Sequence, residues 1–314
     1  MPVPWLFWPI MTKKIKEAIK ATAAIVIVVV LVLGLWIYPL NQAGKMVTPP
    51  VSDSTALNLA EYGLVGDTVH FVTEDNLNLR GMVFPPDSTY ADGIRGTFIL
   101  VHGLTAGISS QLAKAAVLTH VGYLVVAYDQ RGYGQSDGKY YSGGFFEGND
   151  LQSVVSRLAL EDRIIRPLIV WGVDQGATAA IRIWGREKRI DDVIAENPIV
   201  NGRDWERRVK KEKELSVPSF MMGLVWWWMK QKSGYEIPIE ETDISDAYGT
   251  ALVDHPTHLM AIACGADGVP SNPYLAELMS FGTADWLVLS CSDDSTMFQM
   301  HRDTILQAVE KLVQ

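Results

Sequence analysis

From about residue 66 onward, short apolar runs alternate with stretches of helical period. The runs "TFILVH" (97–102), "YLVVAY" (123–128), "PLIVWGV" (167–173), "DVIAEN" (192–197), "LMAIACG" (259–265) and "DWLVLSC" (285–291) are rich in branched residues and bounded by turn formers. That is the pattern of parallel strands buried on both faces. Ahead of them "TVHFVTEDNLNLRGMVFPP" alternates at period two around "EDN", as an antiparallel hairpin does. Between the runs, "SQLAKAAVLTHVG", "DLQSVVSRLALE", "QGATAAIRIWGRE" and "DTILQAVEKLV" carry helical spacing. Such alternation predicts an α/β fold, a doubly wound and mostly parallel sheet with ligand sites beyond the carboxyl ends of its strands.

Two segments break the rhythm. Residues 201–255 are too long for a simple crossover, and we read them as a helical insertion covering the site. At the front, "ATAAIVIVVVLVLGLWIY" (21–38) carries no charge and would span roughly 27 Å as a helix at about 1.5 Å per residue. Lys13, Lys14, Lys16 and Lys20 precede this run and only Lys45 closely follows it. The asymmetry places the N-terminus in the cytoplasm and the remaining chain on the opposite side, as a single-pass membrane protein. A cleaved signal peptide is the competing interpretation. The length of the run and the poor cleavage site "NQAGK" favour an uncleaved anchor. The expected organisation is therefore a tail (1–20), a transmembrane anchor (21–38), a linker (39–65) and a domain (66–314).

Composition narrows the function. With 314 residues, 48% of them hydrophobic, the chain can build a large packed core. A net charge of −9 argues against nucleic acid, which needs a concentrated basic face. The lipid bilayer is the expected partner, and an apolar or lipid-like small molecule the expected ligand. No His/Cys cluster has metal-ligand spacing, and no cofactor is expected. The two cysteines, Cys264 and Cys291, end neighbouring runs; they could pair in an oxidising compartment, but two buried free thiols are the commoner arrangement.

The chemistry concentrates in three stretches. "GVDQG" (172–176) follows a strand and opens a helix, the Gly-x-X-x-Gly pattern of a nucleophile elbow. "VHGLTAG" (101–107) and "YDQRGYGQSDG" (128–138) follow two earlier strands. In this order the three motifs resemble the α/β-hydrolase superfamily, most closely its branch of serine aminopeptidases and monoglyceride-lipase-like esterases, over residues 66–314. The resemblance implies an eight-stranded sheet with a catalytic triad at its carboxyl edge. It places Asp174 at the nucleophile position, Asp267 of "GADGVPSN" at the acid position, and Leu104 and Gln175 as backbone donors of the oxyanion hole.

The pattern departs from the family at two of three triad positions. Asp174 stands where serine is usual. The expected histidine slot, near Asp294 or Ser295, holds none, which leaves His301 downstream or His102 in the His-Gly turn. An aspartate at the elbow resembles haloalkane dehalogenases and epoxide hydrolases, where a carboxylate attacks saturated carbon. Gln175 and Thr105 occupy the places of the tryptophan and proline usual there. For acyl transfer, a fixed anion would fill the hole meant for the substrate's developing charge. The favoured function is a hydrolase-fold binding or scaffold module. The alternatives are an active hydrolase using Asp174, Asp267 and one of those histidines, and a rearranged esterase or lipase site. "RDWERRVKKEKELSVPSFMMGLVWWWMKQK" reads as a buried insertion helix with a solvated basic flank, with membrane docking as the alternative.

Overall fold

The computed structural model describes residues 13–49, 57–87, 93–104, 106–234, 244, 258–280, 284–291 and 297–313. A hairpin, β1 (Asp67–Val72) and β2 (Asn78–Phe84), opens the sheet. Then come β3 (Thr97–Val101), β4 (Leu124–Tyr128), β5 (Leu168–Val173), β6 (Asp192–Glu196), β7 (Leu259–Ala266), a two-residue β8 (Val269–Pro270) and β9 (Asp285–Leu289). The order is β1-β2-β4-β3-β5-β6-β7, with β9 parallel to β7 at the far edge and β8 antiparallel to the end of β7. Apart from β8, this is the eight-stranded, mostly parallel sheet that the motifs imply. Val101 pairs with Tyr128 on one side and Gly172 on the other, so the loops after β3, β4 and β5 leave one edge together.

The continuous apolar runs follow from two-sided burial. Ile99, Val101, Leu168 and Val170 enter one core layer with α3 (Phe145–Leu160) and α4 (Gln175–Trp184). Their neighbours Phe98, Leu100, Ile169 and Trp171 enter the opposite layer with α2 (Leu112–His120) and the C-terminal helix Arg302–Leu312. Side chains alternate at period two, yet both faces demand apolar residues.

The insertion supplies α5 (Gly202–Glu212) and α6 (Met222–Ser233). Asn201 caps α5 by accepting from the backbone N–H groups of Arg203 and Asp204. Among the described residues that follow lie the helices α7 (Pro273–Ser280), α8 (Met297–Met300) and α9 (Arg302–Leu312).

Two expectations are corrected. The proposed linker does not begin at residue 39, because α1 runs without a break over Lys13–Val47. Its last turns are held by packing, with Ala43, Met46 and Val47 fully buried beside α6 and the loops of the site. The cysteines are not free thiols. Cys264 and Cys291 form a disulfide with Cα atoms 5.3 Å apart. The register pairs Cys264 with Leu289, which brings Cys291, just past the end of β9, within bonding reach.

Candidate functional site

At the end of β5 the chain turns through Asp174, whose φ of 47° and ψ of −114° no ordinary helix or strand residue adopts. The turn is tight enough to exclude side chains on either flank. A Cβ on Gly172 would lie 2.3 Å from the Gly176 carbonyl oxygen, and one on Gly176 would lie 2.6 Å from the carbonyl oxygens of Val101 and His102. The glycines therefore let α4 start directly against β5 and β3. Asp174 N–H donates to Glu196 O at 2.9 Å, and Thr178 N–H donates to Asp174 O at 3.0 Å. These bonds make the bend an extension of the sheet at one end and the first turn of a helix at the other.

The Asp174 carboxylate faces two elements. On one side stands the His-Gly turn, where a Cβ on Gly103 would lie 2.5 Å from Asp174 Oδ2. On the other stands α5, from which Arg208 Nη1 donates to Asp174 Oδ1 at 2.9 Å. The pair is largely enclosed, with side-chain exposures of 13% for Arg208 and 22% for Asp174.

Arg208 is itself aimed by its surroundings. Nη2 donates to the Pro198 carbonyl at 3.0 Å, and Nε donates to Asp204 Oδ1 at 3.3 Å. Asp204, one turn earlier and fully buried, also accepts from Arg207 Nη2, Val200 N–H and Asn272 Nδ2. Burial alone would raise its pKa, but the two arginines and these hydrogen bonds outweigh that and hold it below the usual carboxylate range. The elbow is thus tied through Arg208 and Asp204 to the start of the insertion, and through Asn272 to the segment between β8 and α7.

The turn carrying Leu104 is braced by the loop after β4. Gln130 N–H donates to His102 Nε2 at 2.9 Å, and Gln130 Nε2 donates to His102 O at 2.6 Å. Since Nε2 accepts, the proton sits on Nδ1, which reaches Gly103 O at 2.8 Å. Both ring nitrogens are committed, and burial lowers the pKa of His102. Tyr133 hydroxyl donates to Leu104 O at 2.6 Å, and Asp129 Oδ1 accepts from Ile108 N–H at 2.9 Å. Gln175, the residue after the bend, is fully buried at the first position of α4.

The remaining site residues predicted from sequence lie apart from this cluster's hydrogen bonds. Asp267 occupies the exposed turn between β7 and β8, with φ 53°. His301 stands at the N-cap of α9, its Nε2 2.8 Å from Ser290 O. Among the described residues, the His301 ring is bonded to Ser290 O and not to Asp267. Asp294, Ser295, Thr105 and His255 lie outside the described residues. Among the described residues, no group of three or more His, Cys, Asp or Glu side chains is arranged to hold a metal ion.

Sequence inspection missed Arg208. It sits in a basic run, "RDWERRVKKEKEL", whose plain reading is a solvated flank. The available signal was Asp204 and Arg208 at i, i+4 spacing on a helix capped by Asn201.

Comparison with known proteins agrees with this architecture. Residues 92–249 match the family model described as serine aminopeptidase, S33. The uncharacterized protein YqkD of Bacillus subtilis is 28% identical over 182 residues, a stretch covering 54% of this chain and only 59% of YqkD. The esterase Pf2001 of Pyrococcus furiosus superposes with a TM-score of 0.64 at 22% identity, covering 85% of this chain and 97% of the esterase. The α/β hydrolase GrgF of Penicillium sp. sh18 superposes with a TM-score of 0.55 at 18% identity, covering 80% and 98%. At these identities the superpositions speak for the fold, while the family match covers half of the chain and includes the His-Gly turn, the elbow and α5. This chain is a member of the serine aminopeptidase S33 family of α/β hydrolases.

Proposed function

We propose that this protein is a membrane-anchored α/β-hydrolase-family member that binds an apolar or lipid-like ligand rather than turning over esters by the serine mechanism. One observation carries the reading: the nucleophile position holds a carboxylate ion-paired to Arg208 of the insertion. An ester hydrolase needs an uncharged hydroxyl there, an imidazole to take its proton, and vacant N–H donors for the oxyanion. Asp174 offers a fixed negative charge instead, and its charge is compensated by a guanidinium that stays protonated at any ordinary pH. In this reading the N–H groups of Leu104 and Gln175 serve the Asp174 carboxylate, and the His301 ring anchors the end of β9. Asp267 is then a turn residue, retained without a histidine to orient.

The anchor belongs to the same proposal. The apolar stretch of α1 stands almost wholly outside the fold, with Ile25, Val28, Leu31 and Ile37 all about half exposed or more. The four lysines at its start support a cytoplasmic N-terminus. The Cys264–Cys291 disulfide supports a domain in an oxidising compartment, on the other side of the membrane.

The test is hydrolysis of a short aryl ester by the purified full-length protein, with labelling by a fluorophosphonate probe in parallel. We expect neither turnover nor labelling above background. Ester, epoxide or haloalkane turnover that disappears in Asp174→Asn would overturn the proposal and establish the aspartate as a nucleophile.

A further inference from the structure

The insertion carries an apolar surface that the fold leaves uncovered. On α6, Met222, Val225 and Met229 are buried against Trp205, Tyr141 and the end of α1. The other side of the same segment turns outward, with Phe220 80% exposed, Trp227 45% exposed, and Leu224 beside them. Water offers nothing to stabilise such a cluster, and its exposure marks a surface with an apolar partner.

The partner follows from the position of α6 along α1. Trp36 packs edge-on against Trp228 at 5.5 Å and lies 5.9 Å from Trp227. Further along, Lys232 lies against Gly44, where a Cβ would approach its Nζ to 3.1 Å. The contacts therefore advance in the same direction on both helices. The amino end of α6, with Leu224 and, in the turn just before it, Phe220, points back toward the belt of exposed apolar side chains between Ile25 and Ile37. Along the axis of α6, Met222 is about 8 Å from the Trp227–Trp228 pair, at about 1.5 Å per residue. Polarity follows the same axis: the amino half of α6 is uncharged, and Lys230 and Lys232 stand at its other end. Tryptophans between an apolar end and a basic end match the layering of a bilayer interface.

We propose that Phe220, Leu224 and Trp227 are immersed in the bilayer beside α1, so that the insertion is seated on lipid. The inference rests on α1 being a membrane anchor, as proposed above, but not on whether the elbow is catalytically active. Two further contacts make the seating rigid. Lys213 Nζ donates to the carbonyl oxygens of Lys45 and Thr48, and Tyr141 N–H donates to Val47 O. The end of α1 is therefore bonded into the cluster that holds Leu104 of the His-Gly turn. The side of the domain carrying the insertion then faces lipid.

The test uses the full chain in phosphatidylcholine vesicles, with a fluorophore on one introduced cysteine at a time: Phe220→Cys, Val28→Cys on α1, and Leu160→Cys as an aqueous reference that is 81% exposed. Native cysteines, being paired, do not take the label. We expect the labels at 28 and 220 to be quenched by lipid-borne nitroxide. The label at 220 should also be at least about threefold less accessible to aqueous iodide than the label at 160, the signature of an interfacial residue. If 28 is quenched from the lipid and 220 behaves like 160, the seating is wrong and the anchor stands. If 28 escapes lipid quenching, the anchor and the seating both fall. Shielding of 220 from iodide without lipid quenching, together with crosslinking between two copies through Phe220→Cys, would assign this surface to a second copy and overturn the proposal.

Discussion

Arg208 on α5 donates to the carboxylate of Asp174, in the sharp bend between β5 and α4. A helix of the insertion is thereby latched to the residue that follows β5. The same guanidinium touches Asp204 and the Pro198 carbonyl, so the latch is one node of a polar network rather than a lone surface pair.

Removing one partner of such a pair takes an opposite charge away from a largely enclosed group. Arg208→Ala should cost about 2 kcal/mol of stability; Arg208→Lys should cost less, because the positive charge stays, yet still destabilise, because a lysine cannot keep the fork on Asp174, Asp204 and Pro198 at once. A double-mutant cycle with Asp174→Asn, read by chemical denaturation, should give a coupling energy of about 1–2 kcal/mol. Additive effects would show that the contact contributes nothing to stability.

The elbow tolerates no Cβ on its flanks. Gly172→Ala and Gly176→Ala each force backbone atoms apart by several tenths of an ångström, in a place where β3, β5 and α4 are all in contact. Each should destabilise by about 3 kcal/mol or more, whereas Gly223→Ala, in open space on α6, should be neutral or slightly stabilising. Thermal melting of the three variants separates these outcomes.

The disulfide closes a span of 27 residues. By loop-closure entropy it should contribute about 3–4 kcal/mol. A thiol assay on the denatured protein without reductant should find no free thiol, and two after reduction. Cys264→Ala with Cys291→Ala should lower the midpoint of unfolding without changing the far-ultraviolet spectrum.

Acid should loosen the base of α5. The folded pKa of Asp204 lies below its ordinary value of 3.8, so the unfolded chain binds more protons in that range. The stability it contributes is complete above about pH 4 and is lost as the pH falls through the folded pKa. Melting temperatures measured from pH 5 down to pH 2 should fall more steeply for the wild type than for Asp204→Asn, which carries no titrating group at that position.

The strands, the hairpin and the elbow were legible because each follows from local rules. Branched apolar runs can only be buried in a sheet covered on both sides, and Gly172 and Gly176 mark where a strand must turn straight into a helix. The strand runs containing Cys264 and Cys291 were readable too, but their pairing was not. Whether two thiols meet depends on which strands become neighbours and in what register. The end of α1 misled in the opposite way: "NQAGKMV" is too polar to look like more of an anchor, yet it continues the helix because Met46 and Val47 find a place against α6.

By itself, the sequence determined the order of elements, the apolar segment at the front and the presence of a carboxylate at the bend, since these are properties of neighbours along the chain. Only the tertiary structure decided what faces that carboxylate. Asp174 and Arg208 are 34 residues apart, and no pattern of periodicity records a partner at that distance. The sheet brings the end of β5 to the foot of α5, and at close range, away from water, opposite charges then find each other.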